Sequence, residues 1–131
     1  MTSLFTRIIA GELPGRFVYR DPLVVAFLTV APVRPGHTLV VPRVEVDNWY
    51  DLDQTNSQAL FAAARTVAKA VAEAFPSRKV ALAALGFEVP HVHLHVIPID
   101  AEAELDFRRA DHSVEAAALD EAQRLIQAAM P

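Results

Sequence analysis

Between Pro90 and Pro98 the chain reads His91-Val92-His93-Leu94-His95-Val96-Ile97, and no other stretch restricts the fold so tightly. Strict alternation of polar and apolar residues is the period of a β-strand, whose side chains at i, i+2 and i+4 share one face. The spacing predicts a strand over 91–97. Its three imidazoles project one way, while Val92, Leu94 and Val96 anchor the other face in a core.

The remaining segments can be read around that strand. A short helix is expected over 4–10, stopped by Gly11. Phe17-Val18-Tyr19 and Val24-Val25-Ala26-Phe27-Leu28 flank an Asp21-Pro22 turn and predict a β-hairpin. A proline-rich loop over 31–36 leads into a further strand over 37–41. Asp53 is placed to cap the longest helix, 54–75. Leu60, Ala64, Val67, Val71 and Phe75 recur there at steps of three and four, giving one apolar stripe that Pro76 ends. A strand over 80–85 precedes Gly86 and the histidine strand. A helix over 114–130 follows a polar stretch, with Leu119, Ala122, Leu125, Ile126 and Ala129 on one side. Strands and helices do not alternate, and several connections are too short for parallel crossovers. An α+β fold is expected, an antiparallel sheet with helices packed on it.

Composition narrows the class. With 131 residues the expectation is one domain. Hydrophobic residues make up 53% and charged residues 21%, which excludes a disordered chain. The absence of cysteine excludes disulfides, thiolate zinc sites and cysteine nucleophiles. The net charge of −4 is a property of the tail: residues 100–131 hold three arginines against eight carboxylates, and residues 1–99 nine bases against eight acids. The body therefore does not repel a phosphate, yet it has no basic cluster of the kind that grips a nucleic acid duplex. No apolar run reaches about 18 residues, so no membrane partner is expected. The opening Met1-Thr2-Ser3-Leu4-Phe5 lacks the pattern of a signal peptide, and a cytoplasmic location is the expectation.

Solvent-facing strand positions usually carry Lys, Glu or Thr, and none occurs between Pro90 and Pro98. Imidazoles about 6.5–7 Å apart along a strand suit two chemistries. One is metal binding, since His-x-His on a strand is a common zinc arrangement. The other is nucleophilic or acid–base work, because an unperturbed imidazole titrates near 6.5.

His37 lies in Pro35-Gly36-His37-Thr38-Leu39-Val40-Val41-Pro42. Together with the triad, with Ile8-Ile9-Ala10-Gly11-Glu12-Leu13-Pro14 and with Ala26-Phe27-Leu28, this block resembles the histidine triad (HIT) family of nucleotide hydrolases and transferases. The likeness covers roughly residues 4–98, leaving an acidic extension with a helix over 100–131. It implies a HIT-like fold with a five-stranded antiparallel sheet, one long helix, a short N-terminal helix and a C-terminal helix, and a homodimer. It also implies a reaction at the α-phosphorus of a nucleotide conjugate through a covalent nucleotidyl-histidine. His93 would be the nucleophile, His95 a donor to phosphate oxygens, and His91 with His37 would orient the nucleophile and contact the phosphate region. No metal or other cofactor is needed for that step. Phe5, Ile8, Phe17, Val25 and Phe27 would form the cleft for the base. A nucleotide-binding module with little turnover and a metal-binding histidine strand are the alternatives.

Several positions depart from the family pattern. Many bacterial members carry Cys-x-x-Cys where this chain has Ser3 and Thr6, and Glu45 stands where a third zinc ligand would be. A zinc-free, bacterial-type member is therefore expected. Thr29 replaces the Asp or Asn that holds the ribose, and its one hydroxyl cannot accept two hydrogen bonds as a carboxylate can. Gly86-Phe87-Glu88 replaces a segment of phosphate-binding polar residues. Glu88 could face solvent, act as leaving-group acid or pair with an arginine. Asp47, Asp51 and Asp53 read as loop and cap residues rather than a metal cluster. Trp49-Tyr50 reads as a core or dimer contact rather than a stacking platform, His112 as a surface residue, and Arg108-Arg109 as partners of nearby carboxylates.

Overall fold

The computed structural model describes residues 2–131; Met1 lies outside the described residues. Helix α1 (Leu4–Ile9) is capped by Ser3, whose hydroxyl accepts the Thr6 N–H. Strands β1 (Phe17–Arg20) and β2 (Val24–Leu28) form the expected hairpin. Asp21 shapes its turn by accepting the Leu23 and Val24 N–H groups. Strand β3 (Thr38–Pro42) is followed by the long helix α2 (Gln54–Ala74), and Asp53 caps α2 by accepting the Asn56 N–H. Strands β4 (Lys79–Ala84) and β5 (Leu94–Ile99) complete an antiparallel sheet of order β1-β2-β3-β5-β4. Helix α3 (Ala116–Ala129) ends the chain. This is the HIT-like α+β architecture that the resemblance implies.

The histidine strand begins later than its alternation predicts. His91, Val92 and His93 precede β5 in an irregular run. The His91 N–H turns back to the Val89 carbonyl at 2.8 Å, and the Val92 N–H bonds to Val46 rather than to a sheet neighbour. At the other end β5 continues through Pro98, which has no N–H to donate. That is tolerated because β3 pairs with β5 only as far as Val96, so Pro98 has a sheet neighbour on the β4 side alone.

Both faces of the central strands are covered. Every residue of β2 and of β3 is buried. Val24, Ala26, Leu28, Val40, Val92, Leu94 and Val96 meet Leu60, Val67 and Val71 of α2 and Ile126 of α3 in the main core. Each Val, Leu or Ile side chain among them contributes roughly 1.5–3 kcal/mol when fully buried. The opposite face carries Val25, Phe27, Leu39 and Val41, closed by Phe5 and Ile8 of α1. His95 pairs with Leu39 and therefore stands on this second face. The chemistry of the sheet is thus on the side away from the long helix.

Trp49 and Tyr50 are not core residues. They sit in a 3₁₀ turn, edge to face with one another and exposed at the surface. Gly36 is required just ahead of His37. Its φ is +94°, and a Cβ there would lie 2.7 Å from the Phe75 ring.

Candidate active site

Four imidazoles gather on the second face, and the groups around them fix which nitrogen carries each proton. The Val33 N–H donates to His37 Nδ1 at 3.0 Å. A backbone amide can only donate, so His37 Nδ1 is an acceptor and its proton sits on Nε2. That Nε2–H donates to His95 Nδ1 at 2.9 Å, which leaves His95 with an N–H at Nε2. On the neighbouring residue, His93 Nδ1–H donates to the His91 carbonyl at 2.7 Å. The Nε2 of His93 therefore keeps a free lone pair. One ring presents a lone pair and the next a donor, both on a cleft of about 720 Å³. The ring centroids of His93 and His95 are 4.9 Å apart.

Burial keeps these rings neutral. It pushes His37 down to about 3, helped by repulsion from His95 and His93, and pushes His95 down to about 4, helped by His93. His93 is also lowered by burial, against the opposing pull of its bond to the His91 carbonyl. Phe5 stands edge-on to His93 at 4.8 Å and Phe107 edge-on to His95 at 4.7 Å, so each ring is held in place by an aromatic neighbour.

His91 occupies a different position. It is fully buried and does not line the cleft. Its Nε2–H donates to the Pro42 carbonyl at 2.8 Å, and its Nδ1 accepts the Ser3 hydroxyl at 2.6 Å. Glu45 accepts both the Ser3 N–H and the Thr6 hydroxyl, each at 2.7 Å. These bonds hold its carboxyl below the usual carboxylate range. The set does not fit a zinc ion: two neutral hydroxyls are poor zinc donors, and both nitrogens of His91 are already engaged. Among the described residues no three His, Cys, Asp or Glu side chains are grouped to hold a metal. Ser3 and Glu45 instead lock α1 onto the first histidine. Ser3→Ala should lose this bond and the α1 cap, costing about 1 kcal/mol. Thermal unfolding of the variant beside wild type measures that loss.

The other expected residues divide. Phe5, Ile8, Phe27, Thr29 and Glu88 all line the cleft, whereas Phe17 and Val25 lie outside its lining. The Thr29 hydroxyl accepts the Ala31 N–H at 3.2 Å. Phe87 points fully into solvent, and Glu88 pairs with no arginine among the described residues. His37 bonds to His95 and not to His93, and neither His37 nor His91 lines the cleft that His93 and His95 share. Arg108 pairs with Asp106. His112 is exposed, yet it lines the cleft together with Asp120 and Arg16. That contribution from the tail, and the Phe107 contact with His95, leave no periodic signal in the sequence.

A sequence model of the HIT domain matches residues 10–102. The chain belongs to the HIT family. It is 35% identical over 102 residues to the protein called hit of Bacillus subtilis, covering 72% of this chain and 69% of that one. It is 31% identical over 102 residues to the purine nucleoside phosphoramidase of Escherichia coli K12, covering 72% and 85%. Among solved structures it is similar to a Hit-like protein involved in cell-cycle regulation from Bartonella henselae. The TM-score is 0.85 at 29% identity, over 98% of this chain and 97% of that one. The four-histidine cluster is that of a HIT-type enzyme with nucleotide-directed hydrolase or transferase chemistry. No helix among the described residues is long and apolar enough to cross a membrane.

Proposed function

We propose that this HIT protein hydrolyses, or transfers from, a nucleotide conjugate at its α-phosphorus through a nucleotidyl-His93 intermediate. The observation that carries the reading is the proton inventory of the cluster. His93 Nε2 bears a lone pair because its Nδ1–H is held by the His91 carbonyl, and His95 Nε2 bears a proton because His37 holds its other nitrogen.

In the first step the His93 Nε2 lone pair forms a bond to phosphorus, and the bond from phosphorus to the leaving group breaks. The leaving group keeps the electron pair and takes a proton from solvent. The His95 Nε2–H donates to a non-bridging phosphoryl oxygen, stabilising charge as it builds up there. In the second step water attacks phosphorus, the phosphorus–nitrogen bond breaks, and the proton lost by the water restores the balance. The nucleoside monophosphate leaves and His93 regains its lone pair.

The base would lie on the apolar end of the cleft, against Phe5, Ile8 and Phe27, with Thr29 beside the ribose. The phosphoramidase activity of the Escherichia coli relative supports a phosphorus–nitrogen bond among the scissile bonds. We further propose a zinc-free, bacterial-type member, in which the Ser3–Glu45–His91 bonds stand where other members hold a metal. A homodimer is proposed too: of the two edge strands, β1 is met by Gln123 and Gln127 of α3, whereas β4 leaves its outer edge open, and Leu82 on it is half exposed.

Rapid quench of the enzyme with an adenosine 5′-phosphoramidate, followed by peptide mass spectrometry, tests the mechanism. An adenylyl group on the peptide containing His93 is the expected product. Turnover with no such adduct, and with inverted configuration at a chiral phosphorus, would replace the two-step route by direct attack of water.

A further inference from the structure

The charges around the cleft are unusual for a site that receives phosphates. No lysine lines it, and Arg16 is its one arginine among the described residues. That guanidinium is bound to Asp120 of α3 at 2.8 Å, so its charge is already matched. Glu88 borders the same cleft at the end that holds His93, and its negative charge acts on that ring. Glu88 itself has no hydrogen-bond or ion-pair partner among the described residues. The lining therefore carries two carboxylates against one arginine, and the unmatched charge is negative and close to the nucleophile.

A leaving group that carried further phosphates would bring its own negative charges against Glu88, with no lysine and no unpaired arginine in the lining to receive them. One that carried an ammonium group would meet a carboxylate with no other partner. We propose that Glu88 is a specificity-determining residue that selects nucleotide conjugates whose leaving group is a cationic amine and disfavours polyphosphate leaving groups. The proposal rests on the hydrolase reading above and adds the charge class of the substrate. A single unit charge acting across a half-solvated site, at a separation of roughly 6–8 Å, changes a rate by about three- to tenfold. An effect of that size, weakened by salt, is the signature to look for.

The test uses three adenosine 5′-phosphoramidates that share the same phosphorus–nitrogen bond and chain length. Their amine leaving groups end in an ammonium, an acetamide and a carboxylate. At low ionic strength kcat/KM should fall in that order, by about three- to tenfold at each step. In Glu88→Gln the three values should draw together, and 0.5 M salt, on the order of five times the concentration giving a 10 Å screening length, should compress the wild-type series in the same way. The salt series stands by itself if the variant does not fold. Equal rates on all three conjugates, or a wild-type order that survives in Glu88→Gln, would overturn the selectivity. Failure to turn over any of the three would overturn the hydrolase reading itself, and the selectivity with it.

Discussion

Replacing His93 with alanine should lower kcat by at least about a thousandfold while leaving the folded chain intact, because the lone pair that attacks phosphorus is lost with the ring. The ring lines the cleft, and its polar contact is a bond to the backbone carbonyl of His91. Its removal leaves the main core on the other side of the sheet untouched. Steady-state kinetics on a phosphoramidate conjugate, with thermal unfolding in parallel, separates the two effects. Loss of turnover with a lowered but still cooperative unfolding transition is expected, since the variant loses the Phe5 contact and the bond to the His91 carbonyl; full turnover in the variant would dismiss His93 as nucleophile. His37→Phe should give a smaller loss, on the order of ten- to a hundredfold. There His95 keeps its place but is free to adopt the other tautomer, which offers phosphate a lone pair instead of a donor.

Mild acid should destabilise the protein strongly. In the unfolded chain His37 and His95 titrate near 6.5, whereas in the fold burial holds them at about 3 and about 4. Below pH 6.5 the unfolded chain therefore binds more protons than the folded one, and stability falls with pH. The stabilisation is fully present above 6.5 and is lost progressively as the pH drops toward the folded values. Each imidazole contributes a slope of up to about 1.4 kcal/mol per pH unit. Between pH 6.5 and 4.5 the pair should remove on the order of 4 kcal/mol. Urea unfolding at half-unit pH steps measures this, and His37→Phe should flatten the slope. A stability that stays level over that interval would contradict the buried, neutral cluster.

Much of this architecture could be read from the residues. Alternation placed Val92, Leu94 and Val96 on the core face and the histidines on the other, because side-chain direction in an extended chain depends on parity alone. The strand itself starts three residues later, since the hydrogen bonds of His91 and Val92 go to Val89 and Val46, and alternation carries no information about backbone partners. The Asp53 cap and the apolar stripe of α2 were equally legible, being local properties. The roles within the cluster were not. That His37 serves His95, and that His91 faces Ser3, follows from strand pairing and from the docking of α1, contacts between residues 58 and 88 positions apart. The tail was least legible of all. His112 and Asp120 reach the cleft, and Phe107 reaches the His95 ring, from a stretch whose composition reads only as acidic.

The separation of the sheet into a structural face and a chemical face has a consequence for how such a protein can diverge. Substitutions in α1, or at the cleft-facing tail positions His112 and Asp120, reshape what enters the cleft without touching the packing of α2 on the other side. A lineage built on this plan can exchange one cargo for another while its melting behaviour stays nearly constant, and the two properties become free to drift apart.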